Sequence, residues 1–541
     1  MPTFKKNSIR FDALDFLSGL SPQYTTSVGA ITDSVTGKLN VASAFHPYRA
    51  LGMAAPGFAP TDLTGVSVVT GLLRNVSLGA ESSTYYAYAI AANNLLHRIA
   101  LATKTITNAG SWPHTISTGV VGVAEGNDCI TYNSNVGGVA PSNKIANVFY
   151  SWNDTTASNE WNVGMFNTAS GAFTDNFMTT VPATPLVPIA DGNTKPHPMV
   201  VGADDILYIA DGNLLHGYDG GTAADGTFSD SVLTLPSGYV ITTMAKTPDY
   251  LAVFAYYAPA GPRVNVDTTS SGPAICALWN YLDLDPTYVI PISDNAVGAA
   301  FEFSGTVGCF TVGTKPLQEG ENRFCTLQIL NGLSFEIKQL FIGNPPIHGG
   351  VEVIDDSIQW NSDGAIHSYG TPLLDAPPGL NKLNKATGAT SGLLRTVGGI
   401  TGFQLISSGT TTSGGAQYLA IGTYGSSGLL QTGSIVPDFA PLTLGKIKRV
   451  GVRFAKTSTG GRALNLYLGK ENGTNVQIIS GLTDVTSSLL NTFYDRTYTG
   501  GMLGSFQELS LLLEWQGGID GTDAPIVRYV DVEFETENLI K

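Results

Sequence analysis

The sequence predicts an all-β fold, a β-propeller of about seven blades followed by a C-terminal antiparallel β-sandwich of jelly-roll type. Three observations predict it. Short runs rich in Val, Ile, Tyr, Phe and Thr recur along the chain and are closed by Gly, Asn, Asp or Pro. A helical stripe at i, i+3, i+4, i+7 is hard to find. The centres of the runs, near residues 89, 149, 208, 253, 309, 359 and 418, fall at intervals of about 45–60 residues, one four-stranded blade each.

Clear strand runs are Thr84–Ala91, Asn147–Trp152, Ile206–Ala210, Tyr250–Tyr257, Gly305–Val312 and Ser357–Trp360. Phe11–Leu20 is the best helical candidate and Leu489–Tyr494 a poor second. Weak internal repeats support the blades. Tyr88–Ile99 reads YAIAANNLLHRI and Leu207–Tyr218 reads LYIADGNLLHGY, in one register. A looser copy, DDSIQWNSDGAIHSY at Asp355–Tyr369, matches DDILYIADGNLLHGY at Asp204–Tyr218. Each reads as strand, two-residue polar turn, strand, with Asn-Asn or Asp-Gly supplying the positive φ a tight hairpin needs. The repeated histidines His97, His216 and His367 are expected to pack between blades rather than to bind a ligand. The stretch Ile406–Tyr418, with SSGTTTSGG, reads as a loop in the last repeat or a seam near the ring closure.

Three segments follow: 1–59 as an N-terminal arm with the first strands, 60–435 as propeller repeats, and 446–541 as a sandwich. In the last, Lys446–Phe454, Ala463–Leu468, Asn475–Ile479, Glu508–Trp515 and Ile526–Phe534 alternate polar and apolar residues, the pattern of half-exposed antiparallel strands. Residues 446–541 are expected to melt cooperatively alone. The arm, with Phe11, Leu14, Phe16, Leu17 and Leu20, is a candidate for docking on a neighbouring subunit or for closing one end of the propeller. On the docking reading, deleting residues 1–22 impairs assembly and leaves the rest folded.

Charged residues are only 13% of the chain, so Ser, Thr, Asn and Gly carry much of the surface. The net charge of −15 argues against a general nucleic-acid binder, and contact with passing DNA is expected to be transient and without specificity. Residues 1–445 carry −14 and 446–541 only −1, a shift that marks the same boundary. Cys129, Cys276, Cys309 and Cys325 lie in apolar runs without metal-ligand spacing and are expected as buried reduced thiols. The start, MPTFKKNSIRFDALDFLSGL, has no apolar core after Lys5 and Lys6, and no run approaches a membrane span. Synthesis in a cytoplasm without export is the expectation.

The sequence carries no catalytic, cofactor or metal motif; the expectation is a protein that is not an enzyme and needs no cofactor. A G-x-S-x-G elbow, H-E-x-x-H, a P-loop and sialidase S-x-D-x-G-x-T-W boxes are absent. Asp204–Asp205 and Asp355–Asp356 are adjacent and alternate faces, so they read as turn residues. Asp283 and Asp285, in LDLDP, point the same way and are the one candidate carboxylate pair for glycoside hydrolysis. The acidic loops Asp219–Asp230 and Asp520–Asp523 are candidate calcium turns, read first as solvated. Trp112, Trp152, Trp161, Trp279, Trp360 and Trp515 read mostly as core, with Trp515 the one to test for ligand contact.

With the SIRFDALDFLSGLSPQ arm, the blade-like repeats and a terminal sandwich, the chain resembles tail and virion structural proteins of tailed bacteriophages, of the podophage tail-nozzle kind. The resemblance lies in low charge, Gly/Thr/Ser-rich strands and few cysteines, and carries no functional residues over. It implies a virion tail or neck component, assembled in the host cytoplasm, that binds copies of itself in a ring and neighbouring tail proteins. The alternatives are a host-surface or glycan-binding virion protein, and a glycan-degrading propeller enzyme.

Overall fold

A computed structural model of the chain describes residues 7–11, 41–43, 61–62, 64–65, 73–81, 84–91, 94–100, 103, 105–106, 112–116, 128–134, 145–154, 160–177, 197–220, 226–258, 273–294, 296–316, 323–342, 346, 348–354, 357–362, 365–370, 379–382, 394–399, 402–408, 416–420, 428–431, 443–456, 463–470, 475–482, 493–497, 505–506, 509–516 and 525–538. Among these residues every regular element is a strand, and nearly all pairing is antiparallel.

Seven sheets succeed one another along the chain. Sheet I holds Leu73–Glu81, Thr84–Ala91, Leu95–Ala100 and Thr105–Ile106, with Thr64–Gly65 and His114–Thr115 added. Sheet II holds Asp128–Ser134, Ile145–Asp154, Glu160–Asn167 and Ala172–Thr174, and sheet III Met199–Val201, Leu207–Asp211, Leu214–Asp219 and Thr227–Thr234. Sheet IV holds Tyr239–Lys246, Leu251–Tyr257, Ile275–Trp279 and Tyr288–Pro291, and sheet V Ala296–Phe303, Thr306–Pro316, Arg323–Asn331 and Ser334–Ile342. Sheet VI holds Val351–Ile354, Ser357–Ser362, Ala365–Gly370 and Gly379–Lys382. Sheet VII holds Leu394–Gly399, Gly402–Ser408 and Ala416–Ala420, and its fourth strand, Thr61–Asp62, comes from the N-terminal side of sheet I. The first strands of consecutive sheets lie side by side from I to VII, and that of VII lies against that of I. The arrangement is propeller-like.

The strand sequences explain the stacking. In Ile145–Asp154 alternate residues point to opposite faces. Val148, Tyr150 and Trp152 pack toward sheet I, with Tyr88, Ile90 and Trp112, while Phe149 packs toward sheet III, with Met199, Ile209 and Tyr218. Both faces are buried, so the strand reads as a nearly continuous apolar run. The same division joins sheet III to IV through Tyr208 and Trp279, IV to V through Phe254 and Cys309, and V to VI through Phe310 and Trp360.

Aromatic rings lying over glycines make room inside single sheets. Tyr150 faces Gly164 and Phe301 faces Gly308 directly across their strands. A Cβ on Gly164 would sit 2.3 Å from Tyr150 Cε2, and one on Gly308 2.2 Å from Phe301 Cζ. Elsewhere, the hairpin turns of the repeats use Asn94 at φ 58° and Gly212 at φ 61°, the backbone the Asn-Asn and Asp-Gly pairs predict.

Two five-stranded sheets follow and share one core. One joins Asn7–Phe11, Ile526–Asn538, Thr443–Lys456, Phe493–Thr497 and Ser505–Phe506; the other joins Val41–Ser43, Gly428–Gln431, Leu509–Gln516, Ala463–Lys470 and Asn475–Leu482. Their inward residues, among them Phe11, Leu430, Val452, Leu466, Leu511 and Val532, form one buried cluster.

Three strands of these sheets lie before residue 446, so the sequence boundary cuts through them. Asn7–Phe11 pairs residue for residue with Val530–Phe534, burying Ile9 and Phe11, and Arg10 meets Asp531 through two hydrogen bonds of 2.7 and 3.0 Å. The arm therefore begins as an edge strand of the C-terminal part, and Phe11 ends that strand rather than starting a helix; residues 12–20 lie outside the described residues. The second helical candidate likewise runs into a strand, Phe493–Thr497.

Two outcomes follow. Phe11→Ala in the full chain should cost about 3–5 kcal/mol, read as a lowered urea midpoint, because it empties a fully buried aromatic site. Residues 446–541 alone, lacking strands from both sheets, should fail to melt cooperatively in calorimetry; a sharp transition would show those strands to be dispensable.

Candidate functional site

The sequence candidates fall into several places. Asp283 and Asp285 are exposed in the turn after Ile275–Trp279, where Asn280 Nδ2 donates to Asp283 Oδ2 at 2.6 Å and Trp279 Nε1 donates to the Asp283 carbonyl oxygen. Asp204 accepts the hydroxyl hydrogen of Tyr208, and Asp205 sits at φ 62° in a turn. Asp355, Asp356 and the loop Asp520–Asp523 lie outside the described residues, as do residues 221–225 of Asp219–Asp230. Among the described residues no three or more His, Cys, Asp or Glu stand together as a metal site requires, and no helix is long and apolar enough to cross a membrane.

The aromatic and sulfur candidates are core. Trp112, Trp152, Trp279, Trp360 and Trp515 are buried; the side chain of Trp161 lies outside the described residues. Trp515 is no ligand platform: it is 1% exposed, and its Nε1 donates to the Pro525 carbonyl oxygen at 2.8 Å. The four cysteines are buried, and burial raises the thiols of Cys276 and Cys309.

His97, His216 and His367 each take the third position of the third strand, in sheets I, III and VI. His216 and His367 stack on Phe228 and Trp360. His97 is buried, neither ring nitrogen has a hydrogen-bond partner, and burial lowers its pKa from 6.5 to about 4. As pH falls, the unfolded chain takes up the proton first, so this histidine's contribution is full above about pH 6.5 and is lost down to about pH 4.

One polar cluster was not visible in the sequence. It gathers residues from the first strands of sheets I to V around a loop just before sheet VI. Asp128 is buried, and its carboxylate accepts from Asn75 Nδ2, from the Cys129 N–H at 2.8 Å and from the Met199 N–H at 2.7 Å. His348 Nε2 lies 3.2 Å from Asp128 Oδ2 and 3.1 Å from the Met199 carbonyl oxygen. Its Nδ1 lies 2.8 Å from Thr243 Oγ1, which accepts the Ala300 N–H at 3.2 Å. With a hydrogen on Nε2 the ring donates toward Asp128 and the Met199 carbonyl oxygen. Gly349, at φ 72°, lets the loop turn there; a Cβ would sit 2.5 Å from Asn75 Nδ2.

The order Asp128, His348, Thr243 is that of a nucleophilic triad. Thr243, however, is 0% exposed and its oxygen already accepts a backbone N–H, so no substrate reaches it. The cluster binds the inner strands together. Burial alone would raise the Asp128 carboxyl; His348 and the hydrogen bonds from His348, Asn75 and Met199 outweigh it and hold the carboxyl below its usual range.

The exposed surface is organised differently. Nine large apolar side chains are strongly exposed among the described residues, and eight of them lie between Leu282 and Val353. Leu282 and Leu284, 86% and 75% exposed, stand on the turn before the outer strand of sheet IV, beside a cleft of about 200 Å³ against sheet III. A cleft of about 370 Å³ opens between sheets IV and V, lined by Tyr250, Leu278, Tyr288, Val307, Leu330 and Leu333. Beyond it, Ile337 and Leu340 are exposed on the outer strand of sheet V.

No family model matches the chain, and no curated protein matches it. Among solved structures it is similar to the Dos1 propeller, at 11% identity and TM-score 0.39, over 68% of this chain and 95% of that one. It is also similar to an exo-β-1,3-galactanase from Phanerochaete chrysosporium, at 10% identity and TM-score 0.31, over 88% of this chain and 99% of that one. The computationally designed protein Ika8 is similar at 8% identity and TM-score 0.31, over 69% and 86%. None of these likenesses assigns an activity.

Two measurements test the buried groups. Between pH 6.5 and 4 the chain should lose on the order of 3 kcal/mol of stability through His97, and His97→Leu should flatten that part of the urea-midpoint profile. His348→Ala leaves Asp128 buried without its ring partner and should cost about 3–5 kcal/mol at pH 7. The lowered Asp128 carboxyl contributes above about pH 3.8 and is lost as pH falls through its folded value, a window separate from that of His97.

Proposed function

We propose that this chain is a structural component of a virus particle, part of a tailed-bacteriophage tail or neck, working by binding copies of itself and neighbouring proteins and not by catalysis. On this reading sheets I to VII are the seven blades of a propeller, closed when Thr61–Asp62 completes the last blade. The two five-stranded sheets are a β-sandwich built from both ends of the chain.

The observation that carries the binding role is the concentration of exposed apolar side chains in one stretch of the chain, Leu282 to Val353, most of them on the outer strands and turns of sheets IV and V. Scattered exposed leucines need no explanation, but a concentration of this kind marks a contact surface. The low charge of the chain and its resemblance in style to tail proteins favour a particle as the setting.

Recombinant full-length chain should give a light-scattering mass that is a multiple of 56.7 kDa, and mass spectrometry of purified particles should find it at several copies each. A monomer absent from particles overturns the proposal. So does polysaccharide turnover that disappears in Asp283→Asn or Asp285→Asn.

A further inference from the structure

The outer strand of sheet V differs from the other outer strands. It runs for nine residues, Ser334–Ile342, whereas those of sheets II, IV and VI have three or four and the N-terminal strand closing sheet VII has two; that of sheet III, Thr227–Thr234, has eight but carries no exposed large apolar side chain, while Ile337 and Leu340 are exposed here. Short edges are a common defence against unwanted pairing, and this edge lacks it. Among the described residues no strand pairs with its outer side. One bulge interrupts it, at Lys338 between Ile337 and Gln339.

The two faces of this edge differ in chemistry. Ile337 pairs with Gln328 and Leu340 with Thr326, whose side chains lie on the sheet IV side along with Leu330 of the sheet IV–V core. Ile337 and Leu340 therefore look toward the cleft that holds Tyr288 and Leu333. Glu336 pairs with Ile329, which packs on the sheet V–VI core, and so looks the other way. The charges nearby are mostly negative: Asp219 lines the first cleft, Asp283 and Asp285 are exposed on the turn that carries Leu282 and Leu284, and Glu336 stands on the outer strand of sheet V itself, against Lys338. Lys338 is itself held by Glu336 at 2.6 Å.

We propose that Ser334–Ile342 receives an extended segment of a different protein, one in which apolar residues alternate with Lys or Arg. The segment adds a strand to sheet V, sets its apolar side chains on Ile337, Leu340 and the Leu333–Tyr288 cleft, and turns its cations toward Glu336. Backbone hydrogen bonds supply affinity and the alternation supplies selectivity. A second copy of this chain is disfavoured as occupant, since residues 1–445 carry −14 and would meet an acidic rim. The proposal rests on the binding role above but does not need the virus particle.

The test uses the full chain and two synthetic peptides, TVKVKVKT and its acidic counterpart TVEVEVET. The basic peptide should bind at least tenfold more tightly than the acidic one, and hydrogen exchange should slow within 334–342. Leu333→Asp with Ile337→Asp, both at exposed positions, should weaken basic-peptide binding tenfold or more, although the variant is more negative. Glu336→Lys should weaken it as well. Equal or tighter binding to the double variant marks general charge attraction and overturns the proposal, as does unchanged exchange. A chain that self-associates in sedimentation and becomes monomeric in the double variant also overturns it, because the edge is then a contact between copies.

Discussion

A sheet of four short strands has two faces that both need cover, and it cannot supply that cover itself. Here each sheet borrows it from its neighbours on both sides, and the consequences run through the molecule. Strands such as Ile145–Asp154 and Leu251–Tyr257 become apolar on both faces, with residues of alternate parity entering different cores. Because every sheet leans on two others, a row of them is satisfied only when it returns on itself, as the contact of Leu394–Gly399 with Leu73–Glu81 achieves. What remains free to vary is the outermost strand of each sheet and the turn before it, and Leu282, Leu284, Tyr288, Val289, Leu333, Ile337 and Leu340 are exposed there in sheets IV and V.

The inner ends of the sheets pose the opposite problem. The first strands of neighbouring sheets lie side by side, and a purely apolar filling would leave their relative heights loosely defined. The cluster around Asp128 fixes them with directional bonds: a carboxylate from sheet II, an amide from sheet I, a backbone N–H from sheet III and a hydroxyl from sheet IV, joined through one imidazole. A buried charge is expensive unless all its acceptor capacity is used, and here four donors reach it. Specificity of arrangement, rather than net stability, is the natural return on such a group.

Local features were legible in the sequence. Thr84–Ala91 is a strand with the predicted limits, whereas Ile406–Ser408 and Ala416–Tyr418, read as parts of a loop, belong to strands of the sheet that Thr61–Asp62 joins, and residues 409–415 lie outside the described residues. Turn chemistry at Asn94 and Gly212 was readable because it depends on neighbours in the chain. What could not be read is what depends on partners far away. Arg10 and Asp531 are 521 residues apart, and His348 meets Thr243 from 105 away. Trp515 looked like a strand-end platform because the sequence before GG does not reveal Pro525 above its indole. In LDLDP the carboxylates drew attention, yet the structure makes the intervening Leu282 and Leu284 the unusual residues, since their exposure is a tertiary fact.

The use of both chain ends has a bearing on biosynthesis. Thr61–Asp62 is made some 350 residues before its partner Ala416–Ala420, and Asn7–Phe11 waits longer still for Ile526–Asn538. At ordinary elongation rates the first strand spends roughly half a minute to two minutes without its mate. For that time the nascent chain is a series of half-covered sheets with an open seam, and its neighbours on the same message are in the same state. Exchange of the N-terminal strand between two such chains would give a linked pair with the same strand pairings made.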